Sequence, residues 1–217
     1  MRKDATLNLS NGTLTGGWGG GGIFACGGST TTLSGVTITG NQAKIVGAGG
    51  INNFGTLTLD GCTITGNTSK HNGGGIWNGS GSKLSMQGAN TVTDNDGLNN
   101  ADNVFLTNGI VIAVTGSLAG SQIGISMQTP DVFTSGFGAN NDKAPLTYFL
   151  SDISGYMIVA NGNEAKLVKD METGIETMSD VRGQMSDVWY DLNGRRLEMK
   201  PATKGVFINN GRKVVIK

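Results

Sequence analysis

The sequence predicts an all-β chain: a right-handed parallel β-helix followed by a small C-terminal β-hairpin module. Three observations predict it. Thr-x-Thr pairs recur at 13/15, 37/39, 63/65 and 91/93, Gly-Ile pairs at 22/23, 50/51 and 75/76, and an Asn at 41, 67 and 95. Several marks sharing one period of about 25 residues signal stacked repeats. Within a unit, Leu57 and Leu59 alternate with Thr56 and Thr58, and Cys62 and Ile64 with Thr63 and Thr65, which is strand periodicity. A unit this short cannot bury its own apolar face, so it must stack on its neighbours.

The units align as Leu9 to Gly16, Leu33 to Gly40 and Leu59 to Gly66, with Met86 to Asp94 following after one inserted residue. Asp60-Gly61 reads as a corner between two short strands. Stacking predicts inward columns: Leu9 over Leu33, Leu59 and Met86, and Leu14 over Ile38, Ile64 and Val92. Asn41, Asn67 and Asn95 fall at one corner, where amides can hydrogen-bond along the stack as a ladder. Glycines mark corners where a Cβ is excluded. A sandwich or propeller would need hairpin turns that this region scarcely offers.

Composition divides the chain. Residues 1–97 hold 24 of the 37 Gly and only the carboxylates Asp4, Asp60, Asp94 and Asp96. Residues 168–217 hold 16 of the 32 charges. There, residues 188–197 read as a hairpin turning at Asn193-Gly194, with Tyr190 facing Leu197, Val188 facing Met199 and Asp191 opposing Arg196. A second Asn-Gly turn at 210/211 links Val206 to Ile208 with Val214 to Ile216. The resulting division is 1–104 repeat coils, 105–168 closing coils, 169–186 linker and 187–217 C-terminal module.

Sixteen basic against 16 acidic residues exclude the basic face of a nucleic-acid binder. The longest aliphatic run, Ile110 to Val114, falls far short of the ~20 residues of a membrane helix. Met1-Arg2-Lys3 is followed by Asp4 and a polar stretch instead of the apolar core of a signal peptide.

The Gly-Gly-Gly-Ile … Gly-Thr-Leu-Thr-Leu … Ile-Thr-Gly-Asn pattern, clearest from Gly49 to Asn67, resembles the repeats of polymorphic outer-membrane-protein-type β-helices. Ile-Thr-Gly-Asn stands where Phe-x-x-Asn is usual, so the likeness is to looser relatives among Bacteroidetes-type secreted proteins. Asp102 to Leu106 with Ile112 to Gly116 resembles the closing coil of such proteins. The tail resembles the C-terminal sorting module of type IX secretion through Tyr190, Asp191, Leu192, Gly194 and Arg195, then Lys204, Gly205 and the final Lys217. That module is usually larger. The resemblance implies a secreted or surface-exposed bacterial protein, engaging secretion machinery through its tail, with a signal peptide upstream of Met1.

Candidate chemistry is sparse. Glycosidases need two carboxylates ~5–10 Å apart, and Asp60 is flanked by Ser34 and Gln87 instead. Lys70 and the sole His, His71, are candidate catalytic groups, but no orienting acid is visible beside them. Asp94, Asp96 and Asp102 offer oxygen ligands for Ca²⁺ without EF-hand spacing, so a polar loop is the favoured reading. Gly17 to Gly22 formally contains G-x-G-x-x-G, yet no helix follows and the stretch reads as a turn. The Thr-x-Thr columns form a flat array of the type ice-binding solenoids use, although Thr is also an ordinary outward strand residue. Cys62 reads as a small buried hydrophobe, and its offset from Cys26 disfavours a disulfide. Trp18 and Trp77 lie beside Gly-rich corners, where they either stack on sugars or cap the core, the latter being favoured.

The sequence therefore predicts a non-catalytic, adhesin-like β-helical scaffold with no cofactor, meeting glycans or host and cell-surface proteins. The alternative is a fragment of a carbohydrate-active β-helix enzyme, a polysaccharide lyase or glycoside hydrolase.

Overall fold

The computed structural model describes residues 1–45, 47–98, 100–170, 189–191, 196–197, 201, 204–209 and 212–216. They divide into two compact units, Met1–Asp170 and Met171–Lys217.

The first unit is a parallel β-solenoid. One sheet stacks Thr6–Ser10, Thr30–Ser34, Thr56–Asp60, Lys83–Gln87, Ile112–Val114 and Thr134–Ser135, every neighbouring pair parallel. A corner follows each long strand. At Asp60-Gly61 the turn needs φ of +60° at Gly61, a conformation that costs glycine nothing. The chain then enters a second sheet through Thr13–Thr15, Thr37–Thr39, Thr63–Thr65 and Thr91–Val92. It next makes a short excursion through a third sheet, Trp18–Gly19, Gln42–Ala43, Thr68–Ser69 and Asp96–Gly97. It returns through Ile23–Ala25, Ile51–Asn53, Ile76–Asn78 and Val104–Leu106. Gln122–Met127 joins both halves of the second sheet in one strand, pairing with Thr91–Val92 at one end and Val104–Leu106 at the other.

The expected columns are present. Leu9, Leu33, Leu59 and Met86 stand in register and continue to Val114. Leu14, Ile38, Ile64 and Val92 do the same and continue through Ile123 to Phe149. A third column runs Ile23, Ile51, Ile76, Val104 and Ile125. From the second coil onward these side chains are almost wholly buried, whereas Leu7, Leu9 and Leu14 of the first coil are partly buried. Burying each such side chain contributes about 1.5–3 kcal/mol, so the stack carries most of the stability. Both cysteines are free, and Cys62 fills its inward column beside Val36.

Beyond Met127 the repeat gives way to an aromatic cluster. Phe133 meets Phe149 edge-on at 5.1 Å, and Phe137, opening the short helix Phe137–Asn140, meets Tyr148 at 5.7 Å. The antiparallel pair Tyr156–Asn161 and Glu164–Lys169 follows. Glu164 accepts hydrogen bonds from Thr134 Oγ1 at 2.7 Å and the Gly136 N–H at 2.8 Å.

The second unit contains a four-stranded antiparallel sheet of Trp189–Tyr190, Arg196–Leu197, Gly205–Asn209 and Arg212–Ile216. The second hairpin has the expected register, with Asn209 opposite Arg212 and two residues between them. The first does not. Tyr190 pairs with Arg196 and Trp189 with Leu197, one residue out of the expected frame, so Asp191 does not oppose Arg196. Five residues separate Tyr190 from Arg196, whereas a two-residue turn leaves an even number. This register buries Trp189 and leaves Tyr190 half-buried. Val188 and Met199, both Asn-Gly turns, and most of the 169–186 linker lie outside the described residues. So do Leu192, Gly194, Arg195 and Lys217 of the sorting-type motif; Tyr190, Asp191, Lys204 and Gly205 lie within them.

Candidate functional site

The returning half of the second sheet presents an aromatic row. Phe24, Asn52, Trp77 and Phe105 stand in register on successive strands, alternating with inward Ile23, Ile51, Ile76 and Val104. Asn52 interrupts the row because the Ala48 backbone covers it: the Ala48 N–H donates to Asn52 Oδ1 at 2.6 Å, and Asn52 Nδ2 donates back to Ala48 O at 3.0 Å. Phe54, from the following turn, fills the gap. Its ring lies 5.5 Å from Phe24 and 5.2 Å, edge-on, from Trp77.

Beside this row lies a cleft of about 390 Å³, lined by Gly47, His71, Asn72, Trp77, Leu98, Phe105, Thr107 and Gln128. Trp77 and Phe105 are half-buried, while His71, Leu98 and Gln128 are exposed. His71 Nε2 lies 2.8 Å from Ile45 O. A carbonyl only accepts, so Nε2 carries the proton and Nδ1 of the neutral ring remains an acceptor. Gln128 Oε1 accepts the Asn108 N–H at 3.2 Å, so the Nε2 donors are those available to a ligand.

The candidate residues distribute unevenly. Trp77 and His71 meet at this cleft; Lys70, adjacent in sequence, does not line it. Trp18 is 75% exposed on the third sheet, with Lys44 Nζ 5.7 Å from its ring centroid. Neither Trp18 nor Trp77 caps the core, because each occupies an outward strand position. Asp94 is exposed at a corner with φ of +56°, Asp96 is exposed on the third sheet, and Asp102 is buried. Among the described residues no group of three acidic, His or Cys side chains converges on a common point. Gln87 Nε2 donates to Asp60 Oδ2 at 3.2 Å, the pairing expected for Asp60.

The expected ladder is present and longer than anticipated. Asn41 Nδ2 donates to Asn67 Oδ1 at 2.9 Å, Asn67 Nδ2 to Asn95 Oδ1 at 2.9 Å, and Asn95 Nδ2 to Asn103 Oδ1 at 3.0 Å. Each accepting oxygen also takes the backbone N–H of the preceding Asn. Asp152 ends the chain, accepting Asn103 N–H on Oδ2 at 2.7 Å and Asn103 Nδ2 on Oδ1 at 2.8 Å. Gly124 lies under this end, where a Cβ would collide with both Asn103 and Asp152. Nearby, Asp102 accepts the Gly73 N–H at 2.6 Å and the Ser126 hydroxyl. Loss of water pushes both carboxyls above the usual range, despite these hydrogen bonds pulling the other way.

On the other half of the second sheet, Thr13, Thr37, Thr63 and Thr91 form one outward column, ending at Gln122. Thr15, Thr39 and Thr65 form a second. The first column runs into a polar cleft of about 520 Å³ between residues 117–122 and 142–148. No helix among the described residues is long and apolar enough to cross a membrane.

The aromatic row and the ladder contain members that spacing alone misses. Phe54 belongs to a turn outside the period, and Phe105 lies in a segment without the Thr-x-Thr mark. Asn103 follows Asn95 by 8 residues instead of a full coil, because Asn100–Ala101 folds back antiparallel on Asp96–Gly97. No family model, curated protein or solved structure matches this chain.

Proposed function

We propose that this protein is a non-catalytic β-solenoid scaffold, secreted or displayed on a bacterial surface, that holds carbohydrate in the Trp77–Phe105 cleft. The observation that carries the reading is the composition of the cleft. Its floor is aromatic and its rim supplies a ring nitrogen, two amides and a hydroxyl, with no carboxylate among its lining residues. Sugars present apolar C–H faces to aromatic rings and hydroxyls to polar side chains, and aromatic floors with a few placed polar groups are typical of small-ligand sites. Acid–base hydrolysis needs paired carboxylates, so the lining favours binding over turnover. Export through the C-terminal unit is part of the proposal. It rests on the sorting-type motif around Tyr190-Asp191 and Lys204-Gly205, and on residues 171–217 forming a compact unit of their own.

The test is a glycan array probed with the full chain, with Trp77→Ala and with Trp18→Ala. The expected result is binding lost by about tenfold or more in Trp77→Ala and retained in Trp18→Ala, since one desolvated aromatic anchor is worth at least 1–2 kcal/mol. Uniform silence across the array removes the reading.

A further inference from the structure

The lining of the cleft carries more than a preference for sugar. We infer that its ligand is an uncharged, extended glycan chain lying along the solenoid axis, with consecutive sugars on Trp77 and Phe105. This rests on the carbohydrate-binding reading above and specifies its ligand.

The first support is register. Trp77 and Phe105 are directly paired across adjacent parallel strands. Their Cα atoms are therefore about 4.8 Å apart along the stack. That step is comparable to the length of one hexose in an extended β-linked chain. Trp77 continues into Phe54 and then Phe24, so an aromatic surface carries on along the axis beyond the cleft. A ligand crossing the axis would meet one ring and then leave it.

The second support is charge. Among its lining residues the cleft has no Lys, Arg, Asp or Glu. A uronic-acid polymer brings one carboxylate per charged sugar, and placing it here would desolvate charge with no cation to compensate. Neutral hydroxyls instead match what the rim offers: Gln128 Nε2 as donor, His71 Nδ1 as acceptor, Asn72 as either, and Thr107 Oγ1, whose proton goes to Asn78 O at 2.9 Å, as acceptor. The third support is the length of the row. The row runs from Phe24 in the first coil to Phe105 in the fourth, so the geometry suits internal segments of a polymer.

Isothermal titration of the full chain with neutral β-1,4-linked hexose oligomers, from monomer to hexamer, and with polygalacturonate tests this. Affinity is expected to rise about tenfold or more from monomer to tetramer and then level off, with polygalacturonate much weaker. Trp77→Ala and Phe105→Ala are each expected to lose about tenfold. His71→Ala and Gln128→Ala, both at exposed positions, are expected to lose severalfold. Equal affinity for monomer and hexamer overturns the axial chain. Tighter, Trp77-dependent binding of polygalacturonate overturns the neutral ligand while leaving carbohydrate binding intact. Binding unchanged in all four variants overturns the cleft as the site. Silence toward every saccharide, alongside a silent array, overturns both this inference and the function beneath it.

Discussion

Two asparagine ladders run through the same solenoid, and they end differently. The first passes from Asn41 through Asn67 and Asn95 to Asn103 and closes on Asp152. The second has one rung: Asn53 Nδ2 donates to Asn78 Oδ1 at 3.0 Å, and Leu106 stands above Asn78 in the next coil. Asn78 Nδ2 is buried there without a hydrogen-bond partner. The contrast shows what a buried amide stack requires. Asn41, Asn67 and Asn95 each also give Nδ2 to backbone carbonyls, whereas Asn103 gives its Nδ2 to Asp152, so the last amide of a stack needs a partner that accepts without donating. An ionised carboxylate does this with both oxygens; leucine cannot do it at all.

Breaking the long ladder in the middle is the largest test of that contrast. Asn67→Ala removes the oxygen that accepts from both Asn41 N–H and Asn41 Nδ2, and the donor that reaches Asn95 and Ile38 O. No water can replace these bonds readily, because Asn41, Asn67 and Asn95 are all buried. The expected loss is roughly 3–5 kcal/mol, from the orphaned Asn41 N–H, the lost amide bonds and a small cavity, with Asn41 Nδ2 keeping Leu14 O and Thr39 O. Chemical denaturation of the full chain reads it through the solenoid transition. A loss below that of Asn78→Ala would show that the ladder is not the stronger of the two.

Much of this was legible from the residues, and the exceptions share a cause. Leu9, Leu33, Leu59 and Met86 stack as their spacing implies, because an apolar residue at a fixed step has one dry place to go. Asn41, Asn67 and Asn95 were legible for the same reason. Asn103 and Asp152 were not, since the chain folds back antiparallel before one and builds an aromatic cap before the other. Periodicity locates repeats and is blind to their terminators. It also left Trp18 and Trp77 ambiguous: an aromatic beside glycines can cap a core or face solvent, and only strand alternation between Ile76 and Asn78 settles Trp77. In the tail, the Asn193-Gly194 signal implied a two-residue turn, but burial of Trp189 goes with the adjacent register.

Removing the terminator sharpens the comparison at a smaller scale. Asp152→Ala leaves Asn103 N–H and Nδ2 without acceptors, but Asp152 is only half-buried and water can approach. The expected cost near pH 5 is about 1–2 kcal/mol. The same variant carries a pH signature. Burial outweighs the two Asn103 hydrogen bonds and, with the nearby Asp102 charge adding to it, holds the folded-state carboxyl above the ordinary range. The folded protein therefore binds this proton more tightly than the unfolded chain. Its contribution is fully present below the ordinary carboxylate pKa and is lost as pH rises through the raised value. Wild type declines over that window and Asp152→Ala lacks the decline, so the gap between them narrows as pH rises. Urea titrations from about pH 4 to pH 8 measure it. A gap that widens with pH would mean that the hydrogen bonds, and not desolvation, control Asp152.

The smallest effect is expected where the short ladder already fails. Asn78→Leu removes the orphaned Nδ2 and places leucine beneath Leu106, extending an apolar column by one coil. It also removes the acceptor for Asn53 Nδ2, but that group retains Lys83 O at 3.0 Å, and Asn53 Oδ1 retains the Gly55 N–H at 3.1 Å. One hydrogen bond is lost, one buried unpaired donor disappears, and apolar contact is gained. These terms oppose one another at about 1 kcal/mol each, so the net change is expected within about 1 kcal/mol of zero, on the stabilising side if leucine fits without strain. Asn67→Leu, the same substitution one ladder away, has no orphan to relieve and strands the buried Asn41 N–H instead, while Asn41 Nδ2 keeps Leu14 O and Thr39 O. Thermal unfolding of the two leucine variants side by side isolates the terminator as the difference. Equal losses in both would mean that asparagine is required at each position for its shape and not for its place in a closed chain of donors.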